Sequence, residues 1–162
     1  MNRKLMFSLA LVLLAIIVLF LLPSDEKKIR HNLELLAEYS SSSPGEAGVA
    51  ELQKAALVAK QCSDPCRVHI ESLDIARNFN KKELREHVIL MKRSLPAVTF
   101  GFTDTRVELT TDERAEVVTT LALSGELADE RFSDAYELNI IALKQDGEWL
   151  FSDFTVVEFM ER

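Results

Sequence analysis

Hydrophobic and polar positions fall into three regimes along the chain. Leu5 to Leu22 (LMFSLALVLLAIIVLFLL) is a run of 18 residues without a charge, and Ser8 is its only polar side chain. At about 1.5 Å per residue a helix of that length spans roughly 27 Å, enough to cross a hydrocarbon core about 30 Å thick. Only a helix satisfies its own backbone hydrogen bonds there. A cleaved signal peptide would have an apolar region of about 7–15 residues and a small-x-small cleavage site. Leu21-Leu22-Pro23-Ser24-Asp25 offers no such site and no lipid-accepting Cys lies nearby, so the run predicts an uncleaved anchor at 5–22.

From Ser24 the apolar period is helical. Ser24 and Asp25 supply helix-start chemistry, and Glu26 sits in the first turn. Ile29, Leu33 and Leu36, with Leu35 and Tyr39 beside them, predict a helix over 24–39. Pro23 predicts a kink or break from the anchor. After a polar loop at Ser40 to Ser43, Pro44-Gly45-Glu46 opens a second helix, with Val49, Leu52, Ala56 and Ala59 as its expected buried stripe. Arg67 to Ile75 alternates, as a short strand or an irregular crossover. Asn80 caps a third helix, Lys81 to Ser94, with Leu84, Val88, Met91 and Leu95 along one side, and Pro96 ends it.

From Ala97 the period becomes that of a strand. Val98, Phe100 and Phe102 alternate, Val107 and Leu109 follow, and Thr111-Asp112-Glu113 forms a turn. Glu116 to Leu123 reads as a second strand and Glu126 to Ser133 as a polar connection. Tyr136, Leu138, Ile140 and Ala142 share one face of a third strand; Ile141 and Leu143 take the other. Gln145-Asp146-Gly147 is a hairpin signal. A last strand carries Trp149, Phe151, Phe154, Val156, Val157 and Phe159, with Asp153 marking a bulge or bend. Helices followed by strands indicate an α+β fold with a mostly antiparallel sheet. The expected organisation is a tail at 1–4, a transmembrane helix at 5–22 and one domain at 24–162.

Element order, together with Ile140-Ile141-Ala142-Leu143-Lys144-Gln145-Asp146-Gly147-Glu148-Trp149-Leu150-Phe151, resembles the nuclear-transport-factor-2-like superfamily, which includes ketosteroid isomerases and SnoaL-type polyketide cyclases. A strand, a Gly hairpin and a Trp entering the final strand are typical of that family. The resemblance, from about Asp25 to Glu161, implies a curved sheet wrapped around three helices: a cone with a cavity at its open end. It implies no single function, because the family hosts enzymes, ligand binders and scaffolds. The chain also resembles the membrane-anchored bridging subunits of type IV secretion systems in layout, without their Asn-Pro-x-Gly signature.

Charge narrows the partners. Ser24 to Arg162 carries 17 Lys and Arg against all 26 Asp and Glu, a net charge of −9. Such a domain repels phosphate backbones, so no nucleic-acid partner is expected. Arg3, Lys4 and the terminal amine precede the apolar run and favour an N-terminus in the cytoplasm. The expected location is the inner membrane, crossed once, with the domain in the periplasm or outside and the bilayer contacted through 5–22.

Candidate chemistry is sparse. Cys62 and Cys66, the only cysteines, are four apart in Cys62-Ser63-Asp64-Pro65-Cys66. Outside the cytoplasm such a pair oxidises readily, and closing the loop is worth roughly 2 kcal/mol in the chain-entropy model. A redox-active pair, a soft-metal site with His69, and free thiols are the alternatives. His31 and His87 read as solvated, and Lys82–Glu86 as an i,i+4 pair on a solvated face. Tyr39, His69, Asp74, Trp149 and Asp153 are candidate pocket residues, with Tyr136 a further polar candidate. No phosphate loop, catalytic triad or metal-ligand helix motif occurs, so no cofactor is expected. These observations favour a non-enzymatic domain acting through a protein partner, a homodimer through the sheet, or a small apolar ligand. An isomerase- or cyclase-like enzyme is the alternative from another class, and a thiol-redox or metal-handling role through Cys62 and Cys66 is the third.

Overall fold

A computed structural model describes residues 24–46, 48–127 and 130–160. The tail at 1–4 and the expected anchor at 5–22 lie outside the described residues. No described helix is long and apolar enough to cross a membrane.

Three helices precede most of the sheet: α1 (Asp25–Ser40), α2 (Gly48–Gln61) and α3 (Lys81–Ser94). Six strands follow or interleave: β1 (Cys62–Ile70), β2 (Ile75–Phe79), β3 (Val98–Thr111), β4 (Arg114–Leu127), β5 (Glu130–Gln145) and β6 (Glu148–Met160). They form one sheet in the order β2-β1-β6-β5-β4-β3. Every pairing is antiparallel except β1 with β6.

Local chemistry sets the helix ends. Ser24 Oγ accepts from Lys27 N at the start of α1. At α3, Asn80 Oδ1 accepts from Glu83 N while Glu83 Oε2 accepts from Asn80 N, a reciprocal cap. Helix α2 starts later than Pro44: Pro44 and Gly45 form a turn in which Gly45 takes φ +78°, a conformation that favours glycine. The buried stripe of α2 also differs from expectation. It is Ala55, Val58 and Ala59, while Val49 and Leu52 are 68% and 49% exposed. The helix turns small side chains inward, against α1 and α3.

The Cys62-to-Cys66 segment lies in β1 rather than in a free turn. Its pairing with β6 breaks between Cys62 and Arg67, and β2 pairs only from Cys66 onward. Pro65 therefore sits where no ladder bond is required of it; the Asp64–Pro65 peptide is cis. The ambiguous stretch 67–75 becomes a hairpin: β1, one 3₁₀ turn at Glu71–Leu73, then β2. The expected polar connection at 126–133 is mostly strand, with Leu127 opposite Glu130. Cross-strand backbone bonds hold those residues whatever their polarity. The bulge expected near Asp153 falls one residue earlier, at Ser152, which lies between the pairs Ile141↔Asp153 and Ala142↔Phe151.

The core lies between α1 and the inner sheet face. Ile29, Leu33 and Leu36 of α1 meet Val117, Leu138, Ile140, Trp149 and Phe151, with Val58 and Val88 closing from α2 and α3. Burial of that apolar set at about 25 cal/mol per Å² is the main force holding the layers together.

Candidate functional site

Helix α1 has a concavity on each side. On one flank a cleft of about 720 Å³ opens between α1 and β3, the edge strand. Leu33, Ala37, Phe100 and Phe102 give it apolar walls, and Arg30, Glu34, Glu38 and Lys54 line it with charge. On the other flank a recess of about 340 Å³ is lined by Asn32, Leu35, Tyr39, Leu57 and Trp149 among others.

The backbone edge of β3 gives the cleft its chemistry. Val98 O accepts from Ser42 N at 2.9 Å, an isolated antiparallel bridge. Ser41 Oγ donates to Ala37 O at 2.8 Å and accepts from Phe100 N at 3.0 Å. Alternate residues of a strand turn their N–H and C=O the same way, so the peptide groups of Phe102 face the same open edge. Farther along, Asp104 (φ 52°) and Thr105 bulge between the pairs Thr103↔Thr120 and Arg106↔Val118. Thr119 Oγ1, buried beneath, donates to Thr103 O at 2.9 Å. Thr105 Oγ1 therefore donates to Thr119 Oγ1 across 2.8 Å. Arg30 Nη1 caps the bulge by donating to Thr105 O at 2.6 Å. The edge is thus occupied at both ends of the cleft and open at its middle.

The sequence-derived candidates do not converge. Tyr39 and Trp149 share the smaller recess. Val68 pairs with Phe154, which packs on the core, so their neighbours His69 and Thr155 point to the outer face. Asp153 lies on that outer face too, accepting from Thr155 Oγ1 at 3.0 Å with Arg67 Nε at 3.8 Å. Asp74 is an exposed left-handed residue after the 3₁₀ turn. Tyr136, on β5, titrates above the ordinary phenol range because burial and Asp134 both disfavour its anion.

Cys62 and Cys66 are buried with their side chains in mutual contact. That contact, with burial, pushes Cys62 up, and it pulls Cys66 down. His69 points to the outer face while the two thiols lie inside, so the three cannot share one metal ion. Among the described residues no three His, Cys, Asp or Glu side chains are grouped to hold a metal. His31 and His87 are exposed, as expected. His87 Nδ1 lies 2.8 Å from Glu83 O, and its ring meets Phe79 edge-on at 4.9 Å.

Among the described residues two carboxyl groups are displaced, and both move down. Lys144, Trp149 and Lys28 beside Asp25 lower it to about 2. Lys54 and Lys92 lower Glu46. These carboxylates are held ionised, the reverse of what a general acid needs. Lys92 is the buried ion that sequence reading missed. It is 3% exposed, donates from Nζ to Ser41 O, and lies 3.8 Å from Glu46. Desolvation lowers its pKa. Its position four residues after Val88, on the apolar side of α3, was the available signal.

No protein-family model matches the chain, and no curated protein matches it. Solved structures do. A protein from Kribbella flavida is 13% identical with a TM-score of 0.68, over 85% of this chain and 94% of that one. A type 2 hexachlorocyclohexane dehydrochlorinase is 12% identical with a TM-score of 0.67, over 85% and 88%. A nuclear-transport-factor-2-like protein of unknown function from Prochlorococcus marinus is 14% identical with a TM-score of 0.63, over 86% and 97%. At such identities the likeness shows the fold: this chain has the cone-like nuclear-transport-factor-2-like architecture.

Proposed function

We propose that this nuclear-transport-factor-2-like domain is a membrane-anchored, extracytoplasmic binding module without chemistry of its own, and that it takes an extended polypeptide segment in the α1–β3 cleft. The anchor rests on the uncharged run at 5–22 and its orientation on Arg3 and Lys4. The observation that carries the binding reading is the bridge from Ser42 to Val98. The chain's own loop pairs with the outer edge of β3 for one rung and then leaves it. An extended guest could continue that ladder past Phe102, its backbone meeting β3 and its side chains meeting Leu33, Ala37 and Phe100.

A dehydrochlorinase-like reaction would require a proton acceptor poised in an apolar pocket. Here the displaced carboxylates are lysine-paired, and Trp149 and Phe151 fill the space under α1. That weighs toward binding.

The test is a photo-crosslinking residue at Glu38, an exposed position of α1 that lines the cleft, in the full chain in its native membrane. Leu109, exposed on β3, is the control. We expect crosslinks to polypeptide at 38 and none at 109. Recovery from the cleft of a small molecule that the chain converts, with no polypeptide crosslink, would overturn the reading.

A further inference from the structure

Between the end of α2 and the first turns of α3 lies a second kind of pocket. It has a volume of about 320 Å³ and is lined by Ala56, Ala59, Lys60, Lys81, Lys82 and Arg85. Four of these six side chains are cations and none is a carboxylate. On α3 the spacings 81–85 and 82–85 put three cations on one side of the helix, and Lys60 adds the fourth from α2. Ala56 and Ala59 leave the space between them open.

In an acidic domain this convergence is unexpected. Seventeen cations have 26 carboxylates to pair with, yet none of these four enters an ion pair among the described residues. The expected Lys82–Glu86 pair is not formed. Glu83, next to Lys82 in sequence, is folded back on Asn80 N in the α3 cap. All four side chains are exposed, so water and salt screen much of their mutual repulsion, and a multivalent anion relieves the rest. The Arg85 fork suits two oxygens of one phosphate, and the lysines act as mobile point charges around it.

We infer that the Lys60–Lys81–Lys82–Arg85 pocket binds a phosphate-bearing polyanion, either a phosphorylated solute or the headgroup of an anionic phospholipid. The site is separate from the α1–β3 cleft and stands or falls independently of it.

The experiment titrates inorganic pyrophosphate by calorimetry onto the full chain in phosphatidylcholine nanodiscs. Three variants accompany it: Lys82→Glu/Arg85→Glu, Lys60→Gln, and Arg106→Glu/Arg131→Glu as a control of equal charge change at exposed positions on the sheet. Saturable binding is expected, weakened about tenfold or more by the pocket double variant. Lys60→Gln gives a smaller loss in the same direction, and the control stays within about twofold once salt screens its long-range effect. A repeat in discs containing phosphatidylglycerol separates the sources. A drop in pyrophosphate affinity for wild type alone means that headgroups occupy the pocket; an unchanged affinity means a soluble ligand. Absence of saturable binding, or equal losses in the pocket and control variants while both melt like wild type, would overturn the inference.

Discussion

Lys144 Nζ lies 2.9 Å from Asp25 Oδ2, so the last third of β5 is tied to the first turn of α1. The lysine also sits 5.5 Å above the ring of Trp149. The indole Nε1 is buried with no acceptor in strict hydrogen-bond geometry, but the Asp25 carboxylate is the anion beside it and gains from that proximity. Asn32 Nδ2 donates to Trp149 O at 2.9 Å, about two turns farther along α1. Together these contacts fix the end of the domain nearest the expected anchor.

The tie has a pH signature. Asp25 titrates at about 2 in the folded chain and near 3.9 when unfolded. Its stabilisation is therefore full above about pH 4 and is lost as pH falls through about 2. Asp25→Asn is expected to cost about 1 kcal/mol at neutral pH, after discounting for the partly exposed ion pair. Urea unfolding from pH 7 to pH 2 should show the variant and wild type converging at the acid end. A constant gap would assign the loss to helix capping instead.

Lys92 makes a second, separable prediction. Its stem is packed in the core side of α3 and its ammonium holds the carbonyl of Ser41, where α1 ends. Lys92→Ala removes both packing and donor and is expected to cost about 3 kcal/mol. Lys92→Met keeps most of the stem volume and leaves the carbonyl unpaired, at about 1–2 kcal/mol. Chemical denaturation of the two variants measures the split. Equal losses would mean that the donor alone matters.

How much of this was legible differs by element. The α3 range, the hairpin at Gln145–Gly147 and the inner face Leu138–Ile140–Ala142 follow from period and capping chemistry, which are local. The parallel pairing of β1 with β6 is not local: Val68 meets Phe154 across 86 residues, and no short-range pattern encodes it. The same distance hid the cleft, because Arg30, Ser41 and Thr105 become neighbours only when α1 lies along β3. Pocket candidates chosen for their chemistry alone, His69 and Asp153, fell on the outer face for the complementary reason. Strand alternation says that two faces exist, and only the pairing says which is inside.

Cys62 and Cys66 are buried together in β1, so their oxidation is tested in denaturant, where burial no longer shields a free thiol. Oxidised glutathione accepts two electrons from the two thiols, giving one intramolecular disulfide and two reduced glutathione molecules. The chain recovered from an oxidising compartment is expected to resist alkylation in denaturant until a reductant is added. The oxidised form should be about 2 kcal/mol more stable than the reduced one. Labelling of both thiols in denaturant without reductant would show that they remain free.

Gly125 and Gly101 lie on the paired strands β4 and β3 and make opposite predictions. A Cβ on Gly125 would run into Ala97 O and the ring of Phe132. Ala97 O cannot retreat freely, because it accepts from Glu126 N at 3.1 Å, and Phe132 is paired directly opposite Gly125 on β5. Accommodating even one methyl requires the start of β3 to move away from the end of β4, so Gly125→Ala is expected to cost about 2–3 kcal/mol. At Gly101 nothing lies within 4 Å, and a side chain there also restricts the unfolded chain. Gly101→Ala is expected to be neutral or to stabilise by up to about 1 kcal/mol. Urea melts with unchanged slope measure both. Similar costs at the two sites would mean that the β3–β4 end is free to spread, and that the close approach at Ala97 does not hold the strand in place.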